Sequence, residues 1–363
     1  ATSTLTASSL KASTGTSVTL TVQLHDGDGE PLARSGHEVT FATNEGQLSG
    51  AGLTPADVVP APLTVETDAD GAAVVQLTSL VDGEVGVTAY LGDSVGAPVI
   101  GSVAVTFASV VMEDLVVTYD GEPQSLVAEF SDPAAAEGAV YTYVREGGSE
   151  PLEGAPIDAG VYTVTVTAGG GFPGSASARL TIEPREVAFA AVEFADKTYD
   201  GTAAATVTAT LDEATLVAGD DVYLAADASG EFQVLDGEVW VPASDAGEYG
   251  DDADDRVVAS LTLAGADAHN YVLPSMPTGA AVIEPLTLEV AGASAAGKNY
   301  DGTTAVEFGG GLVPGPVAGD DVHLTAAFAS PDVGESVPVL FGLSGDDVAN
   351  YVLVDPDLTA AIA

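Results

Sequence analysis

The sequence predicts an all-β protein of small sandwich modules in tandem, arranged as an elongated rod. Three observations carry this expectation. Apolar residues fall in short runs alternating with polar ones, no amphipathic pattern reaches helix length, and one set of motifs recurs at a near-constant interval. Helix is expected to be minor.

The recurring stretch is Lys197-Thr198-Tyr199-Asp200-Gly201-Thr202, which returns as Lys298-Asn299-Tyr300-Asp301-Gly302-Thr303 and, shortened, as Thr118-Tyr119-Asp120-Gly121. Two companions accompany each full copy. Val217-Ala218-Gly219-Asp220-Asp221-Val222 answers Val317-Ala318-Gly319-Asp320-Asp321-Val322, and Asn270-Tyr271-Val272-Leu273 answers Asn350-Tyr351-Val352-Leu353. The offsets are 101 residues for the tyrosines, 100 for Gly-Asp-Asp and 80 for Asn-Tyr, so the first copy holds an insertion in its second half.

At 363 residues the chain exceeds one small domain, and the interval implies modules in series. Lys+Arg number 8 against 55 Asp+Glu, a formal net charge of −47. Such a surface repels phosphate backbones and anionic lipid, which argues against nucleic-acid and membrane-surface roles, and it suits a medium rich in salt or divalent cations. With no cysteine there is neither a disulfide framework nor a thiolate site. No apolar run approaches a membrane span, and Ala1-Thr2-Ser3-Thr4 lacks the features of a signal peptide, as expected of a segment from a longer protein.

Taken in order, residues 1–110 alternate cleanly. Val18, Leu20, Val22 and Leu24 face one way, Thr19, Thr21 and Gln23 the other, with turns at Asp26-Gly27-Asp28-Gly29 and Asp68-Ala69-Asp70-Gly71. With Asp28-Gly29-Glu30-Pro31-Leu32, Val39-Thr40-Phe41 and Gly86-Val87-Thr88-Ala89, this module resembles the bacterial Ig-like domains of the invasin and intimin type. Residues 111–183 combine the Tyr119 turn, Tyr141-Thr142-Tyr143 and the run Asp158-Ala159-Gly160-Val161-Tyr162-Thr163-Val164-Thr165-Val166, and resemble the MBG family of bacterial surface proteins. Ile182-Glu183-Pro184 returns as Ile283-Glu284-Pro285; proline there lacks a ladder donor and fixes φ, so the joints are expected to be short and stiff. Residues 184–284 and 285–363, from Tyr-Asp-Gly-Thr through Asn-Tyr-Val-Leu, resemble the YDG domains of large bacterial adhesins. The insertion in the first copy includes Phe232 to Val241, where Asp236-Gly237 signals a two-residue hairpin pairing Val234 with Val239 and Phe232 with Val241.

Two enzyme-like patterns fail on context. Gly92-Asp93-Ser94-Val95-Gly96 needs a strand-to-helix turn but precedes a β-rich run, and Gly169-Gly170-Gly171-Phe172-Pro173-Gly174 has no helix to offer a phosphate. His25, His37, His269 and His323 lack metal-ligand spacing. Asp26, Asp28, Asp68, Asp70, Asp251, Asp252 and Asp254 are candidate calcium ligands, since calcium takes hard oxygens; the alternative is solvated turns, because Asp and Gly are favoured there for backbone reasons. Trp240, Phe232, Tyr223 and Tyr249 are a candidate aromatic platform for glycan or protein, with packing inside the module as the alternative.

The sharpest candidate involves lysine. Of three in the chain, Lys197 and Lys298 occupy equivalent positions, each with an equivalent asparagine, Asn270 or Asn350. A buried neutral lysine attacking the carboxamide would expel ammonia and leave an isopeptide crosslink, with Asp200, Asp301, Asp267 or Asp347 as acid. The alternatives are a lysine in a surface ion pair and an asparagine in a turn. The resemblances imply a non-enzymatic, monomeric stalk of an extracellular adhesin on the bacterial cell surface, alongside other domains of the same protein. The competing reading is a module that binds glycan or host protein through the hairpin around Trp240. No cofactor beyond calcium is expected.

Overall fold

The computed structural model describes residues 2–50, 62–250 and 253–363, and the chain divides into two compact units, Ala1–Pro184 and Arg185–Ala363. Strands dominate both units. The longest α-helix among the described residues is Pro133–Ala136, started by Asp132, whose carboxylate accepts from the Ala134 N–H. No described helix is long and apolar enough to cross a membrane.

In the first unit a four-stranded sheet runs Thr4–Ala7, Ser17–Gln23, Ala72–Thr78, Gln47–Gly50. A five-stranded sheet runs Lys11–Ser13, Val99–Ala108, Gly83–Leu91, Glu38–Thr43, Leu63–Glu66. The alternation in Ser17–Gln23 sets the pairing: Val18, Leu20 and Val22 lie opposite Leu77, Val75 and Ala73. They share one core with Phe41, Val87, Val105 and Phe107 of the second sheet. A one-residue slip would turn that apolar set to water. A further sheet, Leu115–Thr118, Ser175–Glu183, Gly160–Thr167, Val140–Arg145, buries Tyr162, Val164, Val166, Leu180 and Ile182 on one face. The Gly-rich run at 169–174 connects two of its strands, and Gly170 O accepts from Lys11 Nζ, which also lies 4.8 Å from the Phe172 ring centroid. Ser94 sits in the loop joining Gly83–Leu91 to Val99–Ala108.

In the second unit the first repeat is built on a sheet ordered Phe189–Ala195, Ala204–Leu211, Ser229–Asp236, Asp255–Ser260, Thr278–Gly279, with a second sheet Lys197–Thr198, Ala281–Glu284, Gly247–Tyr249. The second repeat has Phe308–Val313, Leu286–Ala295, Tyr351–Val354 and His323–Phe328, Gly334–Ser344, Leu358–Ile362. Only Pro285 separates the strand Ala281–Glu284 from the strand Leu286–Ala295.

The inserted hairpin differs from the expected register. Val234 pairs with Val241 and Asp236 with Val239, so the turn residues are Gly237 and Glu238. Gly237 takes φ 67° at the first central position and Glu238 keeps a negative φ, the II′ pattern, whose twist matches the flanking strands. Phe232 also falls outside the insertion. Its N–H donates to Ala203 O as Phe328 N–H donates to Thr304 O, both at 2.8 Å. Phe232 and Phe328 are therefore counterparts within the common core.

One pairing recurs through both units. An early strand runs parallel to the strand that closes the same sheet: Lys11–Ser13 beside Thr106–Ala108, Leu115–Thr118 beside Leu180–Glu183, Lys197–Thr198 beside Ile283–Glu284, and Lys298 beside Ile362. In the last three the Tyr-Asp-Gly turn comes directly after the early strand. Tyr119 N–H donates to Glu183 O, Tyr199 N–H to Glu284 O, and Tyr300 N–H to Ala363 O, at 2.8 to 2.9 Å.

Candidate functional site

Because the turn sits where the chain leaves its sheet, its tyrosine is carried to the end of its own module. Within the second unit this makes a joint. Tyr199 Oη donates to Asp320 Oδ2 at 2.8 Å, and Tyr351 Oη donates to the same oxygen at 2.6 Å. Tyr351 Oη accepts from Val317 N–H at 2.8 Å. The Tyr199 and Tyr351 rings meet edge to face, 5.4 Å between centroids. On the other flank, Asn350 Oδ1 accepts from Ala246 N–H at 2.7 Å while its amide donates to Asp245 Oδ1 at 3.3 Å. Beneath these polar contacts one apolar cluster runs from Tyr199, Phe232, Tyr249 and Ile283 to Leu288, Val322 and Tyr351.

The two aspartates of Gly-Asp-Asp divide the work. The first takes tyrosine hydroxyls: Asp320 as above, and Asp220 from Tyr271 Oη at 2.7 Å. The second ties down the loop ahead of Asn-Tyr. Asp321 N–H donates to Asp347 Oδ2 while Asp321 Oδ2 accepts from Asp346 N–H, and Asp221, Asp267 and Ala266 N–H repeat the pattern. Glycine is needed at that loop. A Cβ on Gly345, at φ 127°, would lie 1.9 Å from Asp321 O, and one on Gly265, at φ 114°, 2.1 Å from Asp221 O.

Burial, and then the bond to its aspartate, push the Tyr271 and Tyr351 hydroxyls up to about 12, and the same causes raise Tyr199 further. An unfolded tyrosine loses its proton near pH 10, roughly its ordinary value. Above that the folded state holds more protons than the unfolded one, so stability falls as pH rises from 10 towards 12. Denaturant midpoints of the whole chain are expected to drop across this window, and less so for Tyr351→Phe.

The lysines serve the turn. Lys197 Nζ donates to Asp200 Oδ1 at 2.6 Å, Thr202 O at 2.8 Å, Thr202 Oγ1 at 3.0 Å and Ala204 O at 3.1 Å. Lys298 Nζ donates to Asp301 Oδ1, Thr303 O and Thr303 Oγ1 at 2.7 to 3.0 Å. Each ammonium also lies under 6 Å from a buried ring, Phe232 or Phe328. The Lys298 ammonium and hydrogen bonds from Thr303 hold Asp301 down at about 2; Asp200 is lowered likewise, against the opposing effect of its partial burial. Lys298 and Asn350 are thus committed to different partners, and Asn270 and Asn350 are buried beside Tyr271 and Tyr351. The candidate acids split the same way, Asp200 and Asp301 with lysine, Asp267 and Asp347 with the second aspartate. The intact mass of the denatured protein is expected to equal the sequence mass, with no loss of ammonia, in wild type and in Lys298→Ala alike.

Among the candidate calcium ligands, Asp26 and Asp68 make local contacts. Asp26 Oδ1 accepts from the N–H groups of Asp28, Gly29 and Glu30, and Asp68 Oδ1 from those of Asp70 and Ala72, so both shape their turns. Asp251 and Asp252 lie outside the described residues. Among the described residues no three His, Asp or Glu side chains are grouped to hold a metal ion. The four aromatics do not form one surface. Phe232 is fully buried and Tyr249 nearly so, their centroids 5.0 Å apart, while Tyr223 lies exposed on the strand Tyr223–Leu224. Trp240 is covered by Arg256, whose guanidinium lies 3.9 Å from its ring centroid and is held by Gln233 Oε1.

Sequence reasoning noted Asp158-Ala159-Gly160 in one module but missed that the Asp-x-Gly triplet recurs. Asp158-Ala159-Gly160, Asp245-Ala246-Gly247 and Asp332-Val333-Gly334 recur every 87 residues, and in each the glycine pairs with the closing isoleucine, Ile182, Ile283 or Ile362. The equal spacing was the available signal.

This arrangement defines a tandem all-β protein with a polar-capped joint between the two repeats of its second unit. Residues 183–278 and 284–360 match the family model described as the YDG domain. Several solved structures align with the chain. A C-terminal intimin fragment, solved with the intimin-binding domain of the translocated intimin receptor, is 21% identical over 52% of this chain and 67% of its own, TM-score 0.37. Invasin, a bacterial integrin-binding protein, is 16% identical over 100% of this chain and 79% of its own, TM-score 0.26. InvD of Yersinia pseudotuberculosis is 13% identical over 99% and 95%, TM-score 0.23. No curated protein matches the chain.

Proposed function

We propose that this chain is a load-bearing, non-enzymatic stalk segment of a bacterial cell-surface adhesin. The observation that carries this reading is the parallel pairing of an early with a closing strand, found four times along the chain. Tension that reaches the early strand of such a module pulls it one way along the sheet, while the closing strand, parallel to it, is pulled the other way. It slides the two along each other, so their slanted hydrogen bonds are strained together rather than one at a time. The acidic surface, at a formal net charge of −47, favours solubility and opposes self-association.

Single-molecule pulling tests this, since the absence of cysteine allows handles to be placed at will. Pulled from its ends, the chain is expected to give discrete unfolding events, each releasing roughly 3.5 Å per residue freed. The force should be several-fold higher than with handles at Gly237 and the C-terminus, a geometry that peels the inserted hairpin. Equal forces in the two geometries would reject the load-bearing reading.

A further inference from the structure

The second repeat carries a copy of the joint face that the first repeat already uses. Strand register fixes the equivalence: Gly247 pairs with Ile283 as Gly334 pairs with Ile362, and Lys197 pairs with Ile283 as Lys298 pairs with Ile362. Tyr199, Asp245 and Ala246 therefore correspond to Tyr300, Asp332 and Val333. In the first repeat this face is occupied by Val317, Asp320, Asn350 and Tyr351, and Tyr199 is 5% exposed; Tyr300 is 61% exposed and Val333 64%. The turns match as well. Gly201 and Gly302 both take φ 75°, but a Cβ on Gly201 would lie 2.8 Å from Val317 Cγ1, while one on Gly302 would meet nothing closer than Tyr300 Oη at 4.0 Å.

We propose that the Tyr300–Asp332–Val333 face seats a further YDG module in tandem, one that brings a Gly-Asp-Asp turn and an Asn-Tyr pair. The chemistry of the existing joint identifies the occupant. The Tyr300 hydroxyl donates to the first aspartate of the incoming turn. The incoming asparagine accepts from Val333 N–H and donates to the Asp332 carboxylate, and the incoming valine and tyrosine cover Val333 and the Tyr300 ring. An acidic partner fits because two tyrosine hydroxyls share one carboxylate oxygen at the existing joint.

The test appends residues 285–363 directly after Ala363 of the full chain, so that Pro285 follows Ala363 as it follows Glu284. Nitration of Tyr300 by tetranitromethane and amide exchange at 299–303 and 332–334 are compared with the unextended chain. Both are expected to slow at least tenfold. Replacing the added counterpart of Asp320 with alanine should restore most of the Tyr300 nitration rate. A second extension, residues 184–363 in place of 285–363, repeats the comparison with a first-repeat module behind Ala363. The proposal is overturned if an added module unfolds with its own cooperative transition while Tyr300 reacts as before, or if neither added module folds behind Ala363. It is likewise overturned if sedimentation shows the unextended chain pairing with itself through Tyr300, lost in Tyr300→Ala.

Discussion

Phe232→Ala is expected to destabilise the second unit by about 3–5 kcal/mol, the range for emptying a fully buried aromatic site. Phe232 is 0% exposed, stacks edge to face on Tyr249 and lies beneath the Lys197 ammonium, so its loss removes packing on every side and leaves a void beside a charge. Trp240→Ala is the control. That ring is partly exposed and packs under Arg256 on the hairpin, so its removal is expected to cost about 1 kcal/mol or less. Urea midpoints of the two variants decide it: equal costs would mean that the hairpin, rather than the shared core, holds the first repeat.

The second large effect belongs to Asp320. Asp320→Ala removes two charge-assisted hydrogen bonds and strands the hydroxyls of Tyr199 and Tyr351 at a partly buried joint. Hydrogen bonds to charged groups contribute about 1.5–3 kcal/mol each, and partial solvent access brings the expected total to about 2–4 kcal/mol. Tyr199 reaches across from the first repeat and Tyr351 from the second, so the substitution also uncouples them. Calorimetry of the second unit within the whole chain should change from one transition to two. In a double-mutant cycle, Tyr199→Phe should cost little once Asp320 is alanine, because both changes delete the same bond. Additive costs would place the stabilisation elsewhere in the joint.

Much of the architecture was legible because its causes are local. Alternation in Val18 to Leu24 and in Tyr162 to Val166 states which face is buried, and the structure buries those residues. The Tyr-Asp-Gly turn, the Gly-Asp-Asp turn and Asn-Tyr were visible as repeats, and all three meet at the joint. The hairpin was visible too, but its register differs from the expected one, since Asp236-Gly237 and Gly237-Glu238 both satisfy a two-residue turn and the structure places Gly237 first in it. Phe232 reads as part of the insertion because its counterpart Phe328 lies 96 residues on, a spacing none of the motifs shares.

The candidate site was legible only as a set of residues. Scarcity of lysine singles out Lys197 and Lys298 in the sequence, and in the structure their ammonium groups bond to the turn three to seven residues away. Equivalence between repeats shows that two residues have the same role in each copy; it does not show that they meet.

The strand-rich class, the period of the repeat and the identity of the residues at each turn are written in the chain itself, since they depend on side-chain alternation and backbone preference within a few residues. The partners of those residues are not. Tyr199 finds Asp320 at a separation of 121 residues and Asn350 finds Asp245 at 105. Contacts of that range exist only once each closing strand has paired beside its early one and Pro285 has set the next strand in line.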